Sequence, residues 1–147
     1  MRIAIAGDHA DPEMKDQLAS FVEGLGHQVA NLGTNGPDRV DYPDFARKVC
    51  EAVQKGEADL GILVCGTGIG MSIAANKFRG IRAANVTLPE VAPLARQHND
   101  ANVLTLSARF VDEPTNEQII ANFLNAQFEG GRHAGRLAKI AQIEDER

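Results

Sequence analysis

The sequence predicts a parallel five-stranded sheet covered by helices on both faces. Three observations carry this expectation. Short apolar runs alternate with amphipathic helical stretches along all 147 residues. The connections between them are short. The central run, Leu60–Val64, is aliphatic throughout and carries no charge, the pattern of a strand buried on both sides. Strand and helix in alternation with short links are what a parallel sheet requires. The length suits a single domain, residues 1–147, with a full core.

Arg2–Ala6 alternates and is bounded by Gly7, which suits a first strand. Asp11-Pro12-Glu13 then opens a helix with Asp as cap, Pro at the first position and an acid in the first turn. Met14, Leu18, Phe21, Val22 and Leu25 keep helical spacing up to Gly26, and His27–Leu32 gives a second strand. Gly33–Asp41 is a polar loop. Tyr42-Pro43-Asp44 opens the second helix, with Phe45, Val49, Cys50 and Val53 on one face, so Cys50 reads as structural.

After the central strand, Met71–Asn76 reads as the first turns of a helix. Ile81–Val86 is a fourth strand, and Pro89 begins a helix carrying Val91, Leu94 and Ala95 and running to Asp100. Asn102–Leu106 is a fifth strand. Pro114–Phe128 is helical with Ile119, Ile120, Phe123 and Leu124 inward, Gly130-Gly131 breaks it, and a last helix covers Arg132–Ile143.

Composition narrows the function classes. A net charge of -5 without long blocks of one sign argues against nucleic acid. No apolar run approaches the length of a membrane span. Two cysteines without CxxC spacing suggest neither a disulfide framework nor a zinc ribbon. A reducing cytoplasm is the expected compartment.

Chemistry concentrates in Leu60–Asn76, LGILVCGTGIGMSIAAN. Strand, glycine loop and helix start make an anion site, because glycine lets backbone approach a ligand and N–H groups at a helix start point at negative charge. Cys65 sits at its mouth, where a helix N-terminus favours thiolate and makes it a candidate base or nucleophile. Gly66, Gly68 and Gly70 do not fit a dinucleotide fingerprint, since Met71 or Ile73 stands where a third glycine is needed. No lysine is present for a P-loop. A plain tight turn with a buried thiol is the competing reading of this stretch.

His98, in QHNDAN, suits proton transfer or sugar-ring opening, and equally suits capping the helix before it. Asp8-His9 falls at the carboxyl end of the first strand, where ligands bind in such sheets; Cys65 shares that edge, and Tyr42 and His98 lie in loops or helix ends able to reach it. Arg132 and Arg136 stand at i, i+4 and share a helix face, either converging on one phosphate or simply solvated, with His133 pointing elsewhere. Cys65, His98 and His9 are zinc ligands by type, but no ligand spacing supports a metal site. Together, a thiolate base, an anion loop, a histidine and an arginine pair suit a small phosphorylated sugar undergoing aldose–ketose isomerisation. That chemistry needs a base beside the carbonyl and donors for the enediolate, and no nicotinamide, flavin or metal.

The motifs GDHA (Gly7–Ala10), DYPDFA (Asp41–Ala46), CGTGIGMSIAANK (Cys65–Lys77), GIRAA (Gly80–Ala84), RQHNDANVL (Arg96–Leu104) and FEGGRH (Phe128–His133) carry a family resemblance over nearly the whole chain. The sequence resembles the ribose-5-phosphate isomerase B family, which also holds galactose- and allose-phosphate isomerases. The resemblance implies a Rossmann-like three-layer sandwich, no cofactor, and interconversion of ribose 5-phosphate and ribulose 5-phosphate in the pentose phosphate pathway. It implies Cys65 as the base, Thr67 and the Gly66–Gly70 amides as enediolate donors, and His98 as the ring opener. Asp8, Tyr42 and Asn99 would contact sugar oxygens; His9, Arg132 and Arg136 would hold phosphate. Homodimers or dimers of dimers with shared active sites are implied, with the last helix, 131–146, packing on or reaching the partner.

Three departures stand out. Asp11-Pro12 replaces a glycine common after DHA, the loop Thr34–Val40 diverges, and Ser107-Ala108 precedes Arg109 where a glycine is common. The first two border the expected pocket and keep other substrates open: erythrulose 4-phosphate, allose 6-phosphate or galactose 6-phosphate, or a non-catalytic sugar-phosphate-binding domain. Cysteine at 65, with Ala74-Ala75 further along, fits the thiolate branch of the family rather than the branch with a glutamate base.

Overall fold

The computed structural model describes residues 1–147. In chain order it runs β1 (Arg2–Gly7), α1 (Pro12–Gly24), β2 (Gln28–Asn31), α2 (Tyr42–Gln54), β3 (Leu60–Cys65), α3 (Ile69–Ala75), β4 (Ala83–Asn85), α4 (Ala92–Asn99), β5 (Val103–Ser107), α5 (Glu113–Leu124) and α6 (Arg132–Asp145). The five strands form one sheet in the order β2-β1-β3-β5-β4. Every pairing is parallel, with Ile5 opposite Ile62 and Cys65 opposite Ser107. The expected three-layer fold is therefore what forms. No helix is long and apolar enough to cross a membrane.

Alternation along the central strands divides the core in two. Ile3, Ile5, Leu60, Ile62, Val64, Leu104 and Leu106 pack with Leu18 and Val22 of α1 and Ile119, Ile120 and Phe123 of α5. Ala4, Ala6, Leu63, Cys65 and Val103 face the other way, against Val49 and Cys50 of α2 and Met71 and Ala75 of α3. Small residues line this second face because α2 lies close: a Cβ on Gly61 would overlap Val49. Cys65 thus belongs to the α2/α3 side of the sheet.

Several element boundaries differ from expectation, three of them where the chain turns at the sheet's edges. The fourth strand pairs only over Ala83–Asn85, shorter than Ile81–Val86. The helix expected from Pro89 starts at Ala92, and it is Ala92 and Ala95 that turn inward while Val91 and Leu94 stay exposed. The fifth helix stops at Leu124, capped by Asn125, before the expected Phe128. Apolar side chains carried the expected fourth strand and fifth helix past the point where pairing or packing stops, and Pro89 signalled a helix start ahead of the first helical residue. At the start of α1 the local rule holds: Asp11 accepts from the Met14 amide at 2.9 Å.

Candidate active site

At the carboxyl edge of the sheet, β3 delivers Cys65 into the loop Gly66–Gly68, and Gly68, at φ +81, turns the chain into α3. That backbone angle favours glycine, and a Cβ there would also overlap Asn85 Oδ1. Cys65 is 6% exposed, and its Sγ accepts the Gly68 amide at 3.2 Å. Thr67 Oγ1 accepts from the Ile69 amide at 3.1 Å. The amides of Gly66, Thr67 and Gly70 donate to no protein acceptor, which leaves a cluster of free donors beside the thiol.

The loop is braced by its neighbour. Ala108 donates to the Cys65 carbonyl at 2.9 Å and Arg109 to the Gly66 carbonyl at 3.0 Å, and Ser107 Oγ donates to the same Gly66 oxygen at 2.8 Å. This also lays the Arg109 guanidinium against Gly66, where a Cβ would meet it at 3.4 Å. The ring of Tyr42, at the start of α2, covers Gly70 so closely that a Cβ there would stand 2.8 Å from it.

Asp8 and His9 follow β1 on the same edge. Asp8 donates its amide to Val64 O at 3.2 Å and accepts the Ala10 amide at 2.9 Å. His9 Nδ1 accepts the Val40 amide at 3.1 Å, so Nε2 is the nitrogen left to donate outward. The loop after β2 is zipped to the end of β1 by Gly7 N to Gly33 O and Thr34 N to Gly7 O, both 2.8 Å. Beneath it lies Lys15, with no exposed surface. Its Nζ donates to Asn31 and Asn35 at 2.7 and 2.9 Å and pairs with Asp16 at 2.7 Å. The Lys15 ammonium holds the Asp16 carboxyl below its ordinary range.

His98 does not reach this edge, contrary to expectation. α4 runs back antiparallel to the strands and ends at Asn99, just before β5 begins at Val103, whereas Cys65 is level with the last residue of β5. The length of β5 alone puts about 13 Å between the two levels. Cys65, His98 and His9 are therefore not gathered by one chain. His98, Asn99, Arg132 and Arg136 gather instead at the amino edge, where α6 starts beside the end of α4.

There His133, buried at 5% exposure, stacks on His98 with ring centroids 4.5 Å apart and planes 14° from parallel. Both Nε2 atoms approach Glu129 Oε1, at 3.8 Å for His98 and 3.7 Å for His133. Burial, Arg132 and His98 hold the His133 ring below its ordinary pKa, with Arg136 adding to them and Glu129 opposing. His133 does turn away from the arginine face, as expected. α6 also docks on its own chain, through Gly80 N to Glu144 Oε1 and Arg79 to Asp145, while Ile140 and Ile143 stay exposed. An apolar groove between α6 and β4 is lined by Ile81, Ala83, Ile140 and Ile143 and holds none of the Cys65 loop.

Cys50 is shielded on the α2/α3 side, its thiol pushed up to about 12 chiefly by burial and then by Glu51. Sequence reasoning gave no site role to Lys15, Arg109, Glu129 or His133. Arg109 was marked by the departure beside it, and Lys15 by nothing except a lysine on an otherwise apolar helix face.

A doubly covered parallel sheet with a thiol, a glycine loop and a histidine at its carboxyl edge defines a Rossmann-like α/β protein with free backbone donors where such sheets bind ligands. A family model described as Ribose/Galactose Isomerase matches residues 3–140, and the chain belongs to that family. It is similar to the ribose-5-phosphate isomerase B of Escherichia coli K12, 45% identical over 146 residues, 99% of this chain and 98% of the relative. Its structure is similar to that of the Clostridium thermocellum ribose-5-phosphate isomerase B, with a TM-score of 0.97, 49% identity and 99% of each chain covered. A third neighbour is the Mycoplasma genitalium ribose-5-phosphate isomerase B with bound ribulose 5-phosphate, at a TM-score of 0.96, 47% identity and coverage of 99% and 97%.

Proposed function

We propose that the chain interconverts ribose 5-phosphate and ribulose 5-phosphate without a cofactor, in the pentose phosphate pathway of the cytoplasm. The observation that carries this reading is the buried Cys65 sulfur in a ring of free amides, in a chain similar over its full length to enzymes of that name. The Cys65 thiolate takes the proton from C2 of the open-chain aldose. The C2–H electrons form the C1–C2 double bond of an enediolate, whose oxygen charge meets the Gly66–Gly70 amides and Thr67. Return of the proton to C1, with reprotonation at O1 and loss of the O2 proton, gives the ketose and restores the thiolate.

Asp8 and Tyr42 contact sugar oxygens and His9 takes one side of the phosphate; Arg109 adds a cation beside Gly66. His98 opens the furanose ring, Asn99 contacts the sugar, and Arg132 and Arg136 hold phosphate. Since these four lie at the opposite edge of their own sheet, they serve a Cys65 loop of a second copy. The working unit is then a homodimer, or a dimer of such dimers, with two sites each made from both chains.

Proton NMR of ribose 5-phosphate in deuterated water, with no added metal, tests the reaction. Ribulose 5-phosphate with deuterium at C1 is expected. Absence of conversion, with turnover of a tetrose or hexose phosphate instead, would move the assignment to another aldose phosphate, a reading favoured by the divergent Thr34–Val40 loop. Silence across that panel would leave a binding domain.

A further inference from the structure

The amino edge holds a ligand set of which the proposed reaction uses only His98. One ligand atom from each of His98, Glu129 and His133 lies within 4.8 Å of the others. The group is built into the fold. His133 is buried and its ring is stacked on His98. The Glu129 amide donates to Gln97 O at 3.0 Å, one residue before His98, which fastens this carboxylate to the end of α4. The outer side is open: the side chains of His98 and Glu129 are 39% and 53% exposed.

Two imidazoles and one carboxylate form a ligand set that binds zinc with a fourth position left free. Bonds of about 2.0–2.2 Å in a tetrahedron put ligand atoms roughly 3.3 Å apart. The Nε2–Oε1 separations of 3.8 and 3.7 Å therefore need to close by about half an ångström, and the two imidazole nitrogens, in a group spread over 4.8 Å, by more. The lone pair of each imidazole lies in its ring plane, so the near-parallel stack has to open. His98, the more exposed ring, is the one that tilts. Arg132 and Arg136 oppose a divalent ion here, which makes the site reversible rather than permanently filled.

We propose that His98, His133 and Glu129 form an inhibitory site for a zinc ion, which closes the enzyme by taking the His98 ring out of use. The inhibition rests on the reading of His98 as the ring-opening residue; the binding does not. Zinc is here a regulator, and turnover needs none.

The test uses tag-free protein, with Cys65→Ser as the background so that thiolate binding is removed. Titration calorimetry with zinc chloride should give one ion per chain. Adding His133→Asn or Glu129→Gln to that background should weaken binding at least about tenfold, with circular dichroism confirming that each variant is folded. In protein with Cys65 intact, zinc should slow isomerisation of ribose 5-phosphate and EDTA should restore it. Glu129→Gln should need about tenfold more zinc for half-inhibition, relative to its own metal-free rate. No binding by the Cys65→Ser protein, or binding indifferent to both substitutions, overturns the site. Binding without slowing overturns its inhibitory role. Zinc binding by a protein that turns over no sugar phosphate would instead count against the functional reading and leave the site standing.

Discussion

The two edges of the sheet are built from different materials. At the carboxyl edge the working groups are largely backbone amides around one sulfur, held by the crossed hydrogen bonds of Ala108, Arg109 and Ser107 to Cys65 and Gly66. At the amino edge they are side chains at helix ends: His98 and Asn99 closing α4, Arg132 and Arg136 on the exposed face of α6. In the proposed reaction the first would supply a base and fixed donors for a developing oxyanion, and the second imidazole and positive charge. Neither holds the complete set that ring opening, phosphate binding and proton transfer require. Ile69 and Ile73 on α3 and Ile140 and Ile143 on α6 are exposed, and apolar surface of this kind marks interaction sites.

The largest expected effect isolates the carboxyl edge. Cys65→Ala should lower kcat by about 10³-fold, within the range lost with a general base, while the urea midpoint stays near that of the unmodified protein. Near-normal turnover would move the base elsewhere. Iodoacetamide gives a parallel reading: Cys65 should be labelled and protected by phosphate, while Cys50, whose thiol is pushed up to about 12, stays unreacted.

The next experiment breaks or confirms the division between edges. Cys65→Ala and His98→Asn proteins, each nearly inactive on cyclic ribose 5-phosphate, are mixed, dissociated and reassembled. If each site draws on both chains, a mixed dimer holds one doubly altered site and one intact site. Random pairing then restores roughly a quarter of normal activity, by the symmetry of an isologous pair. If one chain holds a whole site, mixing restores nothing.

Smaller still is the effect expected at Lys15. Lys15→Met keeps the buried stem and removes the ammonium that ties Asn31, Asn35 and Asp16 together. Asn31 and Asn35 are exposed enough to turn to water, so the loss should be about 1–2 kcal/mol in urea unfolding. The loop zipped to Gly7 should loosen with it, raising KM for the sugar phosphate more than it lowers kcat. A drop in kcat alone would tie Lys15 to the chemistry rather than to the loop.

The carboxyl edge was legible in the sequence because its backbone is written in local signals. The aliphatic run before Cys65, three closely spaced glycines and a cap at Asp11 each dictate nearby backbone. The amino edge was only half legible. His98 and the arginine pair were chosen by residue type, although a helix joining two parallel strands has to run back to the amino edge, so the predicted topology already set His98 apart from Cys65 of its own chain. His133 stacks on His98, thirty-five positions away in the chain, and spacing within α6 shows only that it leaves the arginine face. Lys15 was invisible for a related reason: a lysine among apolar helix positions signals burial only once Asn31 and Asn35 are known to meet it.

The smallest effect separates the edges by pH. Folding holds the His133 ring below its ordinary pKa of 6.5, through burial first and then Arg132 and His98, with Arg136 adding and Glu129 opposing. Near neutral pH the ring is uncharged in folded and unfolded chains alike and contributes no slope. As pH falls through about 6.5 the unfolded chain takes up the proton first, so stability declines there and levels off once the folded ring is also protonated. His133→Asn should flatten that part of the urea midpoint profile, and Glu129→Gln should steepen it by removing the one neighbour that favours the charged ring. Cys65→Ala should move the profile less than His133→Asn does, because within one chain its edge is joined to the His133 cluster only through the sheet. A profile that moved with Cys65 and not with His133 would assign the titration to the carboxyl edge.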